Sequence, residues 1–168
     1  MTHQPLVLWG FVKNKITIGN VCFITDKNNQ KVLLLKRNKK PMFGLYTGVG
    51  GKTNFNEDIN SSCVREVKEE TGLIVDKVRL RGVVKTVLEN EPSSWILFVY
   101  TADRFCGNLI SCDEGELEWV DFNKIYSKNL IGFIKKILPT ILEKDAFLEG
   151  TIVHDIDGNI IKESISCF

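Results

Sequence analysis

Between Gly51 and Leu73 the chain reads GKTNFNEDINSSCVREVKEETGL, and this stretch follows a fixed spacing, G-x5-E-x7-R-E-U-x-E-E-x-G-U, with U aliphatic. Gly51, Glu57, Arg65, Glu66, Val67, Glu69, Glu70, Gly72 and Leu73 fill the fixed positions. The order of residue types confines the segment to a loop, a helix of about four turns and a stop. Asn56 is placed as the N-cap, with Glu57 and Asp58 in the first turn where acids suit the helix dipole. Gly72 ends the helix, since glycine enters the left-handed conformation at no steric cost.

On a wheel of ~100° per residue, Glu66, Glu69 and Glu70 share an arc of about 100°. Like charges at these spacings repel by a few tenths of a kcal/mol per pair, so the face calls for a neutralising cation. A cluster of this kind is ordinarily a solvated surface. Here the apolar stripe of Ile59, Cys63 and Val67 argues otherwise, because Glu66 and Glu70 fall roughly 20° to either side of Ile59. Acids bordering a core stripe line a cleft wall and are costly to desolvate without a partner.

Carboxylate oxygens with no clustered histidine or cysteine suit hard ions such as Mg²⁺ or Mn²⁺. Both accompany phosphates. Diphosphate hydrolysis needs charge neutralisation on the phosphoryl oxygens, a water made more acidic and a base to take its proton. Arg65 and Glu57 are read as a pair that orients loop and helix, and the Gly51 backbone carbonyl as a further donor to the metal.

The nine-position pattern resembles the signature of the Nudix hydrolases, which cleave diphosphates attached to another moiety. The resemblance implies the αβα sandwich of that family, an α/β fold with a mixed sheet between helices, as one domain over residues 1–168 with its box at 51–73. Within the family the chain is most similar to MutT-like nucleoside triphosphate diphosphatases, including those acting on oxidised purines such as 8-oxo-dGTP. That similarity rests on LLLKRNKKP, TGVGGK, ISCDEGELEWV and AFLEGTIVHD. It implies catalysis by Arg65, Glu66, Glu69 and Glu70, and metal binding by Gly51, Glu66, Glu69, Glu70 and Glu114, with Glu116 as second choice to Glu114. It also implies substrate contacts by Arg37, Lys52, Phe43, Tyr46 and Thr47; Phe43, Tyr46 and Trp95 are further read as a stacking surface for a base, against plain packing.

Two departures bear on substrate. Thr47 stands where related sanitising enzymes carry a base-reading asparagine, and no acid lies between Phe122 and Leu142, where some carry an acidic pair. Hydrolysis of another diphosphate, such as ADP-ribose or a dinucleoside polyphosphate, and nucleotide binding without turnover are therefore the alternatives.

The remainder of the chain supports one mixed domain. Strands are expected at LVLWGFV, ITIGNVCFIT and KVLLLKR, the last two forming a hairpin about DKNNQ, and again at VRLRGVVKTVLE, WILFVYTADRF and LEWVD. A second helix is expected over Leu130 to Lys144, kinked or divided at Pro139, and a terminal hairpin turns at Asp157-Gly158. With 168 residues, 43% apolar, the chain supports one sizeable core. A net charge of +1 argues against nucleic acid or a membrane surface as partner and for a small-molecule nucleotide. Five scattered cysteines fit reduced thiols, and the absence of a signal or spanning stretch fits a soluble cytoplasmic protein, monomeric or homodimeric.

Overall fold

The computed structural model describes residues 14–144 and 146–168. The apolar run LVLWGFV lies outside the described residues. Strand β1 (Lys15–Asp26) and strand β2 (Lys31–Arg37) form the expected hairpin, paired antiparallel from Asp26↔Lys31 to Ile24↔Leu33. The Asp26 carboxylate fixes its turn by accepting the Asn29 N–H at 3.0 Å and the Asn29 amide at 2.7 Å. Beyond Ile24↔Leu33, segment 46–52 enters between the two strands. Thr47 in strand β3 (Tyr46–Thr47) pairs with Leu35, whereas Val49 and Lys52 bridge to Cys22 and Gly19 of β1.

Helix α1 (Ile59–Thr71) follows, then β4 (Ile74–Val75), β5 (Arg79–Leu88), β6 (Ser93–Ala102), β7 (Phe105–Cys106) and β8 (Gly115–Asp121). A 3-10 turn at Phe122–Ser127 leads to helix α2 (Gly132–Glu143), and β9 (Leu148–His154) and β10 (Ile160–Cys167) close the chain as the expected terminal hairpin. The main sheet runs β10-β9-β5-β6-β1-β2-β3, with β8 on the other edge of β2; β1–β6 and β5–β9 are parallel and the other pairs antiparallel. β4 and β7 form a separate two-stranded ribbon.

Alternation along the central strands builds two cores. Val21, Phe23, Val32 and Leu34 face α2, packing with Ile134, Ile137, Leu138 and Ile141. Cys22, Ile24, Leu33 and Leu35 face α1, packing with Cys63 and Val67. A sheet covered on both faces explains why VLLL in β2 is a continuous apolar run. The result is the expected αβα sandwich. The second helix begins at Gly132, later than the expected Leu130, and Pro139 does not divide it, its five buried apolar residues held on the sheet. No helix among the described residues is long and apolar enough to cross a membrane.

Candidate active site

Helix α1 starts two residues later than its sequence indicates. Asp58, not Asn56, is the N-cap, its carboxylate accepting the Ser61 N–H at 2.9 Å, and the first turn holds no acid. Glu57 is drawn away from the helix end by Arg65. Its two oxygens accept Nε and Nη2 of Arg65 at 2.7 and 2.9 Å, a bidentate pair, and one of them also accepts the Asn54 N–H. These contacts hold the Glu57 carboxyl down at about 2, the arginine being the largest cause. Gly72 caps the other end at φ 75°, as expected.

Arg65 is shared more widely than a single pair. Its Nη1 donates to Glu66 Oε1 and Glu69 Oε2, each at 2.9 Å, and its Nη2 donates to the Lys52 carbonyl at 3.1 Å. The guanidinium thus ties the box loop to the helix and holds two of the three clustered acids. Those acids sit in unlike surroundings. The Glu69 side chain is 59% exposed and the Glu66 side chain 15%. Glu70 lies within the buried stripe rather than at its border, 8% exposed. The three acids expected on one face therefore differ in burial, one buried, one half-buried and one exposed, because α1 packs on the sheet along the Cys63–Val67–Glu70 line.

Burial pushes the Glu70 carboxyl up to about 7, with the negative charges of Glu66 and Glu114 adding to the rise. The Gly50 N–H, donated to Glu70 Oε2 at 2.8 Å, and the Arg37 charge oppose it. Burial likewise raises the Glu66 carboxyl, against the pull of Arg65. Glycines bring the loop this close: a Cβ on Gly51 would stand 2.6 Å from the Glu66 carboxylate, and one on Gly50, at φ 147°, would stand 2.3 Å from the Asn20 carbonyl oxygen. The carbonyl oxygen of Gly51 accepts the Asn20 N–H at 2.9 Å and keeps one lone pair.

Glu114 immediately precedes β8, beside Arg37, whose strand partner is Gly115. Its charge reaches Glu70, and its Oε1 accepts Lys39 Nζ at 2.7 Å. Glu116 points elsewhere, its side chain 81% exposed and 3.8 Å from Lys36 Nζ. Arg37 Nε donates to the Pro41 carbonyl at 3.2 Å. Phe43 is exposed; Thr47 is buried opposite Leu35. Tyr46 donates its hydroxyl to Glu118 at 2.9 Å under the ammonium of Lys128, which also pairs with Glu118. Lys52 Nζ lies 5.7 Å over the Trp95 ring.

A sequence profile described as NUDIX domain matches residues 15–141. The chain belongs to the Nudix family of hydrolases. It is 31% identical over 132 residues to a Nudix hydrolase of Bacillus subtilis, covering 76% of this chain and 82% of that one. It is 30% identical over 118 residues to the oxidized purine nucleoside triphosphate hydrolase of Danio rerio, covering 70% and 76%. Among solved structures, a MutT protein from Bacillus halodurans superposes with a TM-score of 0.80 at 28% identity, covering 89% of this chain and 97% of its own.

Members of this family use divalent metal ions. Among the described residues of this Nudix chain no three acidic, histidine or cysteine side chains converge into a ready-made ion site. The residues nonetheless fit a hard cation: Glu70 is a buried carboxylate that accepts a backbone N–H, Glu66 is raised by burial, and Gly51 leaves the space beside Glu66 that any side chain would fill. The sequence reading missed Gly50 as the donor to Glu70, the Tyr46–Glu118–Lys128 cluster and Asn20. Asn20 alone carried a visible signal, a polar residue inside the apolar strand ITIGNVCFIT.

Proposed function

We propose that this Nudix hydrolase is a Mg²⁺-dependent pyrophosphohydrolase, with Mn²⁺ able to substitute, that cleaves a nucleoside triphosphate to its monophosphate and pyrophosphate. The observation that carries this reading is Glu70, a buried carboxylate pushed up to about 7 beside a second raised carboxylate, Glu66. Glu66, Glu70 and Glu114, with the free lone pair of the Gly51 carbonyl, would hold the ion. Bound there, a divalent ion neutralises the diphosphate oxygens and acidifies the attacking water.

The chain's own residues do the rest. Arg65 holds the loop to the helix and keeps Glu66 and Glu69 in place. Glu69 gives one oxygen to Arg65 and, being exposed, accepts a proton on the other and passes it to solvent. Arg37, beside Glu114, meets a phosphate, and Lys52 and Lys39 add positive charge around the entrance. Phe43, exposed on its loop, is the aromatic side chain assigned to the base in this reading. Thr47 has no free side to do so, which favours a site that does not read the base through that residue.

A panel of normal and oxidised purine and pyrimidine nucleoside triphosphates, ADP-ribose and dinucleoside polyphosphates, with the products identified, tests the reading. It is supported by monophosphate plus pyrophosphate from a triphosphate at the highest kcat/KM. Preference for ADP-ribose, or nucleotide binding with no turnover in Mg²⁺ or Mn²⁺, rejects it.

A further inference from the structure

Asn20 is the one residue of β1 whose side chain the strand itself does not explain. Asparagine is disfavoured in strands, and here it is 3% exposed between apolar neighbours. Alternation puts it on the face of Cys22 and Ile24, toward α1. There its Nδ2 donates to Ser62 Oγ at 3.0 Å, and Ser62 is fully buried in the second turn of the helix. Its backbone N–H donates to the Gly51 carbonyl at 2.9 Å. The remaining amide atom, Oδ1, has no partner.

That atom faces Gly50. A Cβ on Gly50 would meet Asn20 Oδ1 at 3.0 Å, and Gly50 is the residue whose N–H holds Glu70 Oε2. Ser62 in turn donates to the Lys52 carbonyl at 3.5 Å and accepts Arg65 Nη2 at 3.4 Å. Asn20 therefore meets the strap with its backbone N–H at Gly51 and lies with Oδ1 against Gly50, and its side chain, through Ser62, reaches the helix, the Lys52 carbonyl and the Arg65 clamp. Buried polar atoms without a partner are few in folded proteins, and each calls for an explanation.

We propose that Asn20 is a positioning residue of the metal site: it pins the Gly50–Gly51 strap to α1 so that the Gly50 N–H and the Gly51 carbonyl meet Glu70 and Glu66 at one fixed spacing. This rests on the reading of Glu66 and Glu70 as holders of a divalent ion. Outer-shell partners of metal ligands commonly change metal affinity or activity by about 10- to 100-fold when removed.

The test is Mn²⁺ binding to the full chain by calorimetry and electron paramagnetic resonance, alongside kcat and KM, for Asn20→Val, Asn20→Asp and Ser62→Ala, with folding checked by circular dichroism and urea titration. Asn20→Val is expected to weaken Mn²⁺ binding about 10-fold and to lower kcat with little change in KM. Ser62→Ala should shift both the same way by less, and Asn20→Asp should restore part of the loss. A folded Asn20→Val that binds Mn²⁺ within twofold of the parent overturns the proposal, even if its stability falls. If that variant does not fold, unchanged Mn²⁺ affinity in Ser62→Ala overturns it. Glu70→Gln separates the two levels: loss of Mn²⁺ binding there with normal binding in Asn20→Val rejects the positioning role alone, and normal binding in Glu70→Gln rejects the metal reading beneath it.

Discussion

The two ends of α1 hold acids in opposite states. Just before the helix, Glu57 meets the Arg65 fork through both oxygens, and its carboxyl is held down at about 2. In the last turn, Glu70 is buried with a single backbone donor, and its carboxyl is pushed up to about 7. The helix dipole sharpens the contrast, since an acid near the C-terminal end faces unsatisfied carbonyls. The first end is a finished clamp, complete in its own residues. The second is a charge that no cationic side chain pairs with among the described residues. A structural acid and a ligand-seeking acid are thus told apart on one helix by what satisfies them.

The comparison breaks most visibly at Glu70. Glu70→Gln keeps the shape and the Gly50 hydrogen bond but removes the charge, and turnover in Mg²⁺ should fall about 10³-fold by steady-state assay, with the fold intact. At the opposite end, Arg65→Ala strands Glu57 and Glu66 together; urea unfolding should show a lower midpoint, whether or not metal is present. A smaller effect separates the two acids flanking Gly115. Glu114→Gln should weaken Mn²⁺ binding about 10-fold, whereas Glu116→Gln, whose side chain is 81% exposed, should leave it within twofold.

Much of this contrast was legible in the sequence. The G-x5-E-x7-R spacing announced the Glu57–Arg65 pair, and the wheel put Glu70 close to Ile59, which is why its burial follows from packing alone. The β1–β2 hairpin and the terminal hairpin were readable because their apolar runs and polar turns are long enough to be distinct. Two-residue strands such as β3, β4 and β7 leave no periodic trace; they exist through pairing with distant segments. The N-cap slipped from Asn56 to Asp58 because Arg65, eight residues on from Glu57, competes for that acid, a tertiary contact that local capping rules omit. Glu69 was grouped with Glu66 and Glu70 by angle, yet the wheel does not say where the sheet stops covering the helix. The preference for Glu114 over Glu116 came with the family resemblance, since spacing alone does not separate two acids on either side of a glycine; the residue before β8 lies beside Arg37, and its charge acts on Glu70.

The most direct measurement is the stability of the metal-free protein between pH 4 and 9, with and without Mg²⁺ or Mn²⁺, for the parent and Glu70→Gln. Glu70 has its folded value raised above the unfolded one, so the unfolded chain loses this proton first and stability falls as pH rises from about 4.5 to about 7, then levels. A shift of that size corresponds to about 3 kcal/mol. The account predicts that this decline appears in the parent, that a divalent ion reverses it above pH 7, and that Glu70→Gln shows a smaller decline, the part left by Glu66, and a weaker rescue. A parent whose stability is indifferent to divalent ions at pH 8, or a Glu70→Gln variant stabilised by them to the same extent, would contradict it.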